Sequence, residues 1–393
     1  MRRFVTQGGG VTAPFEFATA GRVVFGAGRA TELPALVGGW GERAVVLTGS
    51  RPDRHASLIA ALPMEVAVVP VSGEPTVDAA RAAVTAAREQ GARAVIGIGG
   101  GSVIDLGKTV AMLLGNGGDP LDYLEVIGRG QPIGRPSMPF AAVPTTAGTG
   151  AEVTMNAVLT SPEHGRKASV RARSMLPTLA LVDPLLTVDC PPAVTAASGL
   201  DALTQCLEPL VSRNRTPITD ALAADGLRHA AVGLRAAYAD GSDVAARTEM
   251  ALCSLLGGMS LANAKLGAVH GFAGVIGGLV PVAHGAICAA LLAPVTEANV
   301  RALRERDPDN PALAAYRLAA ALLTGDPGAT VADGVEWIAQ TVRQLGVGGL
   351  AAGGLDPDLV DDVVAKTGSS SSTKGNPIEL TEEELRRALV AAL

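Results

Sequence analysis

Apolar residues in the first half of the chain fall into short runs rich in β-branched side chains: Val23-Val24-Phe25, Ala44-Val45-Val46-Leu47, Val66-Ala67-Val68-Val69 and Ala94-Val95-Ile96-Gly97-Ile98. Ala-rich stretches with helical spacing lie between them, Val77 to Gln90 being the most regular. Further strands are expected at Phe140 to Val143 and Leu179 to Val182. Strand–helix–strand alternation at this spacing predicts a parallel sheet with covering helices. Near Asp183-Pro184 the pattern changes. Pro184, Pro191 and Pro192 punctuate the chain, and almost everything after them has helical periodicity. The expected architecture is therefore an α/β domain over residues 1–190 followed by an all-α domain over 191–393. Thr381 before Glu382-Glu383-Glu384 reads as a helix N-cap with an acidic first turn.

Composition narrows the class. The 393 residues suffice for two domains, at roughly 100–200 residues each. Aromatics make up only 3%, so the core must be built from Ala, Val, Leu and Gly. The net charge is −6 and the best basic stretch, Arg166-Lys167 to Arg173, is short, which argues against a nucleic-acid partner. Met1-Arg2-Arg3 is followed by Gln7-Gly8-Gly9-Gly10 rather than an apolar run, so no secretory signal is expected. The scattered Cys190, Cys206, Cys253 and Cys288 contain no CxxC pair and read as reduced thiols of a cytoplasmic protein. The most apolar segment, Ala251 to Pro294, is interrupted by Lys265, His270, His284 and many glycines, so buried helices are expected there rather than a bilayer span.

Two loops carry candidate cofactor chemistry. Gly99-Gly100-Gly101-Ser102 follows a strand and opens a helix that continues through Asp105 and Lys108. Bare backbone at a helix N-terminus suits a pyrophosphate, and the same pattern also fits a plain tight turn with Ser102 as N-cap and Asp105 completing a capping box. Asp105 is expected to cap the helix or to accept from a neutral part of the cofactor. The second loop, Pro144-Thr145-Thr146-Ala147-Gly148-Thr149-Gly150, follows another strand, and its hydroxyls suit ribose and phosphate oxygens. Two such loops on one sheet place a ligand crevice at the carboxyl ends of the strands.

The second half is poor in polar groups, so each stands out. Asp201 and Gln205 are four apart on one helix face. His270 and His284 lie in the most apolar segment, each followed by glycine. A buried histidine needs a partner, and two of them with a helix-borne carboxylate point to a divalent metal, Fe2+ or Zn2+. His55, His164 and His229 lie in polar stretches and receive no role.

These motifs, with Glu152, Asp183-Pro184, Gly199-Leu200-Asp201-Ala202, His-Gly pairs fourteen residues apart and Asn376-Pro377, resemble the iron-containing, or group III, alcohol dehydrogenases, relatives of glycerol dehydrogenase and dehydroquinate synthase. The resemblance runs from about Phe15 to the C-terminus. It implies a dinucleotide-binding domain, a helical domain and a cleft between them holding metal and nicotinamide. It also implies an exchange of alcohol for aldehyde or ketone with NAD or NADP, and Asp201, His270 and His284 as ligands. Lys167 falls where the family often carries a cofactor-side lysine, and a homodimer or larger homo-oligomer is expected.

Three positions depart from the family pattern. Gln205 stands where a ligand histidine is usual. Gly274 replaces a second histidine four residues after His270. Gly49-Ser50-Arg51 follows the second strand where NAD-preferring members carry an acid, which turns the expectation toward NADP(H), since nothing there repels a 2′-phosphate. Two rival activities share the scaffold: a metal-independent reductase resembling maleylacetate reductase, and a dehydroquinate synthase-like lyase. A protein that binds dinucleotide without turnover is a third possibility.

Overall fold

The computed structural model describes residues 14–393; the Met1-Arg2-Arg3 start and the Gln7-Gly8-Gly9-Gly10 run lie outside them. Six strands form one parallel sheet: β1 (Val23–Phe25), β2 (Arg43–Thr48), β3 (Glu65–Pro70), β4 (Ala94–Gly99), β5 (Phe140–Pro144) and β8 (Leu179–Val182), in the order β1-β8-β5-β4-β2-β3. β4 and β5 are buried at every residue, which is why they read as continuous apolar runs rather than alternating ones. Helices α1 (Leu33–Val37), α2 (Ala56–Ala60), α3 (Val77–Glu89), α4 (Gly101–Asn116) and α5 (Pro120–Tyr123) accompany the sheet. α3 starts at Thr76, whose hydroxyl accepts from Ala79 N–H, and it buries Val77, Ala80, Ala83, Val84 and Ala87 along one stripe. α4 approaches the sheet closely. A Cβ at Gly107 would lie 2.5 Å from the Phe140 ring.

Sequence periodicity did not announce one element, the antiparallel hairpin β6 (Asn156–Ser161) and β7 (Arg166–Arg171). The buried Lys108 anchors α4 to it, bonding Thr154 Oγ1 (3.0 Å), the Asn156 carbonyl and Asp105 (3.0 Å). Asp183 ties the sheet's last strand to its first, its carboxylate accepting from the N–H groups of Gly28, Ala30 and Leu185.

After β8 the chain is helical: α6 (Pro192–Val211), α7 (Pro217–Ala239), α8 (Val244–Ala264), α9 (Ala268–Ile276), α10 (His284–Arg306), α11 (Ala312–Thr324), α12 (Val331–Gln344), α13 (Val360–Gly368) and α14 (Glu382–Ala391). Thr381 caps α14 with Glu384 in a capping box, as its sequence pattern predicts. Small residues let the helices touch. A Cβ at Gly199 of α6 would lie 2.4 Å from Leu234 of α7, and one at Gly226 of α7 2.4 Å from Cys206 of α6. α10 is long and apolar enough by composition to cross a bilayer, but 67% of that stretch is buried against the rest of the protein. The threonine-rich loop after β5 joins the two halves. Gly150, at φ +57°, rests on Gly258 of α8, and Gly148 lies against Ser198 of α6. The carboxyl ends of β4 and β5 therefore meet the helices at this loop.

Candidate metal and cofactor site

α6 presents Asp201, Gln205 and Glu208 along one face, at i, i+4 and i+7, and all three are buried. His270 is the third residue of α9 and His284 the first of α10. Gly285 explains why the second histidine is followed by glycine: a Cβ there would sit 1.9 Å from the Ala197 carbonyl oxygen and 3.0 Å from Asp201 Cβ. Bare backbone lets the start of α10 press against α6 and brings His284 to Asp201. Gly285→Ala is therefore expected to cost about 1–3 kcal/mol in overpacking. Thermal unfolding should show the lowered midpoint, and metal retention should fall with it because His284 moves. Gly271 meets a similar constraint, with a Cβ lying 2.2 Å from Thr373 Oγ1.

The ligand atoms of Asp201, His270, His284 and Cys288 all lie within 4.8 Å of one another. His270 Nε2 is 3.4 Å and His284 Nε2 3.9 Å from Asp201 Oδ1. Neither separation makes a hydrogen bond, and Asp201 Oδ1, His270 Nε2 and Gln205 Oε1 are buried with no partner. Each such orphan costs about 1–3 kcal/mol. Two of them, Asp201 Oδ1 and His270 Nε2, lie in one cluster with His284 and Cys288 and are satisfied together by a cation, so the donor set fits a divalent metal. Gln205 Nε2 donates to Asp201 Oδ2 (2.8 Å). A carboxylate only accepts, so this contact fixes the amide with its nitrogen toward Asp201.

Glu208, which sequence reasoning missed, orients the site. Its Oε2 lies 2.7 Å from His270 Nδ1, and its Oε1 accepts from Val269 N–H (2.8 Å). Glu208 thus holds a proton on Nδ1 while Nε2 faces Asp201, and with a metal bound Nε2 would be the ligand atom, the arrangement by which an outer carboxylate holds a ligand histidine. The signal available was Glu208's place on the Asp201–Gln205 helix face. Asn376 supports α9 by accepting from Ala268 N–H (3.1 Å) while bonding Asn299.

Electrostatics reflect the crowding. Burial pushes the His270 imidazole down, but the Glu208 and Asp201 carboxylates outweigh it and lift its pKa to about 10. Burial opposes the Asp201 charge, yet His270 and His284 hold it below the ordinary carboxylate value. His284, whose side chain is 40% exposed, is depressed chiefly by burial of its inner edge. Burial, reinforced by Asp201 and Glu208, pushes the Cys288 thiol up.

On the sheet side, α4 begins at Gly100 without a side-chain cap, so its leading N–H groups stay open to an anion. Ser102 is inside the helix rather than its N-cap. The glycines serve packing as well as access: a Cβ at Gly101 would lie 2.8 Å from Thr149, and one at Gly100 3.3 Å from Thr146. The two loops thus lie side by side, joined by Thr145 N–H to the Gly99 carbonyl (3.0 Å). Asp105 forms no capping box. Its Oδ2 accepts from Val158 N–H (3.0 Å) and its Oδ1 pairs with Lys108, so both oxygens are spent on the fold. Gly49 and Ser50 close β2 at the same end of the sheet, and a Cβ at Gly49 meets nothing within 4 Å. Lys167, on β7, pairs with Glu74 (2.5 Å) and reaches within 3.4 Å of a Cβ built at Gly277, just past α9. Gly274 is exposed with open space around it.

Comparison with known proteins decides the family. Residues 20–184 match the profile described as "Iron-containing alcohol dehydrogenase", and residues 195–393 match "Fe-containing alcohol dehydrogenase family, C-terminal". The chain belongs to the iron-containing alcohol dehydrogenase family. It is 33% identical to choline dehydrogenase of Bacillus subtilis (strain 168) over 75% of this chain and 72% of that protein. It is 41% identical to alcohol dehydrogenase 4 of Saccharomyces cerevisiae (strain YJM789) over 54% of this chain, spanning 55% of that relative's length. Sulfoacetaldehyde reductase from Bifidobacterium kashiwanohense, solved in complex with NAD+, superposes with a TM-score of 0.86 at 26% identity, covering 97% of this chain and 99% of that one. As an iron-containing alcohol dehydrogenase, the protein is an NAD(P)-dependent oxidoreductase acting between alcohols and carbonyl compounds. A divalent metal and a nicotinamide cofactor are implied by the family.

Proposed function

We propose that this protein interconverts a small alcohol and its aldehyde or ketone beside a divalent ion, Fe2+ or Zn2+, held by Asp201, His270 and His284, with NADP(H) preferred over NAD(H). The observation that carries the reading is the convergence of buried, unpartnered ligand atoms at one point among α6, α9 and α10. A metal bound there supplies Lewis-acid polarisation of the substrate oxygen, and the nicotinamide gives or takes the hydride.

The residues do the rest. Glu208 fixes the His270 ring so that Nε2 faces Asp201. Gln205 holds the Asp201 carboxylate through Oδ2, leaving Oδ1 free, and its unpartnered Oε1 would ligate or accept from a bound water or substrate. The open N-terminus of α4 at Gly99-Gly100-Gly101-Ser102 receives the pyrophosphate, while Thr145, Thr146 and Thr149 offer hydroxyls to ribose and phosphate oxygens. Lys167 would serve the cofactor from beside the end of α9, its charge shared with Glu74. The space beside Gly274 admits water, which carries the alcohol proton to solvent or to the ribose. Small, weakly charged walls suit a modest substrate, and the active form is read as a cytoplasmic homodimer or larger homo-oligomer.

The metal-independent alternative gains from Gln205 and Gly274, but it leaves His270 Nε2 at 3.4 Å from Asp201 Oδ1, looser than the direct hydrogen bond such a buried pair would make without an ion between them. The lyase alternative needs basic groups at the ligands, and Lys265 is exposed at the end of α8. A screen of aldehydes and short alcohols with both cofactors, with and without added metal, tests the reading. Metal-stimulated reduction is expected, and turnover indifferent to metal contradicts it. Gly49→Asp is expected to move the NADP(H)/NAD(H) ratio of kcat/KM toward NAD(H) by at least about tenfold, since the carboxylate repels a 2′-phosphate and the position has room for it. An unchanged ratio would place cofactor choice elsewhere.

A further inference from the structure

The three ligands proposed above leave a four-cornered shell incomplete, and Gln205 has its amide nitrogen committed to Asp201. Another donor faces the same point. Cys288 is fully buried on α10, one turn beyond His284, so both side chains project from one helix face. Its Sγ lies within 4.8 Å of the Asp201, His270 and His284 ligand atoms. Two of those atoms, Asp201 Oδ1 and His270 Nε2, are buried without a partner and converge on the space the sulfur borders. Around a tetrahedral ion with bonds of about 2.0 Å to nitrogen or oxygen and about 2.3 Å to sulfur, ligand atoms stand roughly 3.3–3.8 Å apart. Small rotations of the side chains would close the cluster to that spacing.

We propose that Cys288 is a metal ligand of this chain, completing an Asp201–His270–His284–Cys288 set that favours Zn2+ over Fe2+. This rests on the metal reading above and sharpens it. Thiolate is a soft donor, and sulfur in the shell shifts selection from ferrous ion toward zinc. Binding forms one sulfur–metal bond and breaks the S–H bond, the proton passing to buffer, with no change of oxidation state. Gln205 then acts by holding Asp201 rather than by ligating. With four protein ligands, a substrate oxygen would add as a fifth ligand from the exposed flank of His284, an expansion that zinc tolerates.

The test uses the full chain, stripped with a chelator and titrated with Co2+, whose bond to a thiolate gives an intense near-ultraviolet charge-transfer band that nitrogen and oxygen ligands do not give. The wild type should develop the band in step with one ion per chain. Cys253→Ser should keep it. Cys288→Ser should lose it and bind zinc more weakly by upwards of about 10–100-fold, the cost of losing only a supporting hydrogen bond. X-ray absorption of the zinc-loaded wild type needs no variant and should show one sulfur at about 2.3 Å. A bound ion surrounded by nitrogen and oxygen alone, or a band that survives in Cys288→Ser, overturns the Cys288 assignment and leaves Asp201, His270 and His284 standing. A wild type that takes up no ion overturns both.

Discussion

His270→Ala is expected to strip the protein of metal during ordinary purification and to reduce kcat/KM by about 1,000-fold or more. The size follows from the chemistry. Lewis-acid stabilisation of the developing charge contributes several kcal/mol, and each 1.36 kcal/mol is a factor of ten. Nicotinamide-cofactor binding should persist, because the loops after β4 and β5 do not contain His270. Metal analysis with cofactor fluorescence titration checks both halves, and a variant that keeps its metal would remove His270 from the ligand set. The same residue sets a pH dependence. In the metal-free protein a proton occupies the ring up to a pH of about 10, well above the ordinary 6.5, because Glu208 and Asp201 favour the charged form. Metal must displace that proton, so apparent affinity should rise with pH through this window and binding should release protons. Calorimetry in buffers of different ionisation enthalpy reads the release directly, and pH-independent uptake would contradict it.

Glu208→Gln carries the second large effect. Two donors point at this carboxylate, Val269 N–H at one oxygen and His270 Nδ1 at the other. A glutamine offers one acceptor and turns an N–H toward the remaining donor, leaving a buried mismatch of about 1–3 kcal/mol. The histidine loses its orienting partner, which typically lowers metal affinity by about 10–100-fold. The expected outcome is weaker zinc or iron retention and lower kcat, with the affinity for NADP(H) preserved. Full metal affinity in this variant would show that Glu208 serves the fold alone.

Much of this arrangement was visible in the sequence for a physical reason. Strands buried on both faces read as unbroken apolar runs, and polar residues in the apolar second half had to be paired, which exposed Asp201, His270 and His284. What stayed hidden depended on contacts between distant segments. Glu208 shares a face with Asp201, but only the approach of α9 shows what it holds. Cys288 read as one more buried thiol until α10 placed it one turn from His284. Asp105, expected to cap the helix or to meet a neutral part of the cofactor, instead joins Lys108 in securing the hairpin β6–β7, two short strands whose alternation of buried and half-exposed residues is too brief to stand out. The glycine after each histidine is plain in the sequence, but its reason lies in the 1.9 Å approach at Gly285 and the 2.2 Å approach at Gly271.

The central claim is that hydride transfer here depends on an ion held by Asp201, His270 and His284. The most direct measurement is to strip the purified protein with a chelator, return Zn2+ or Fe2+ in steps, and follow activity against metal bound per chain. Activity should be lost on stripping and should return linearly, levelling at one ion per chain. Full turnover in protein shown to be metal-free would contradict the account.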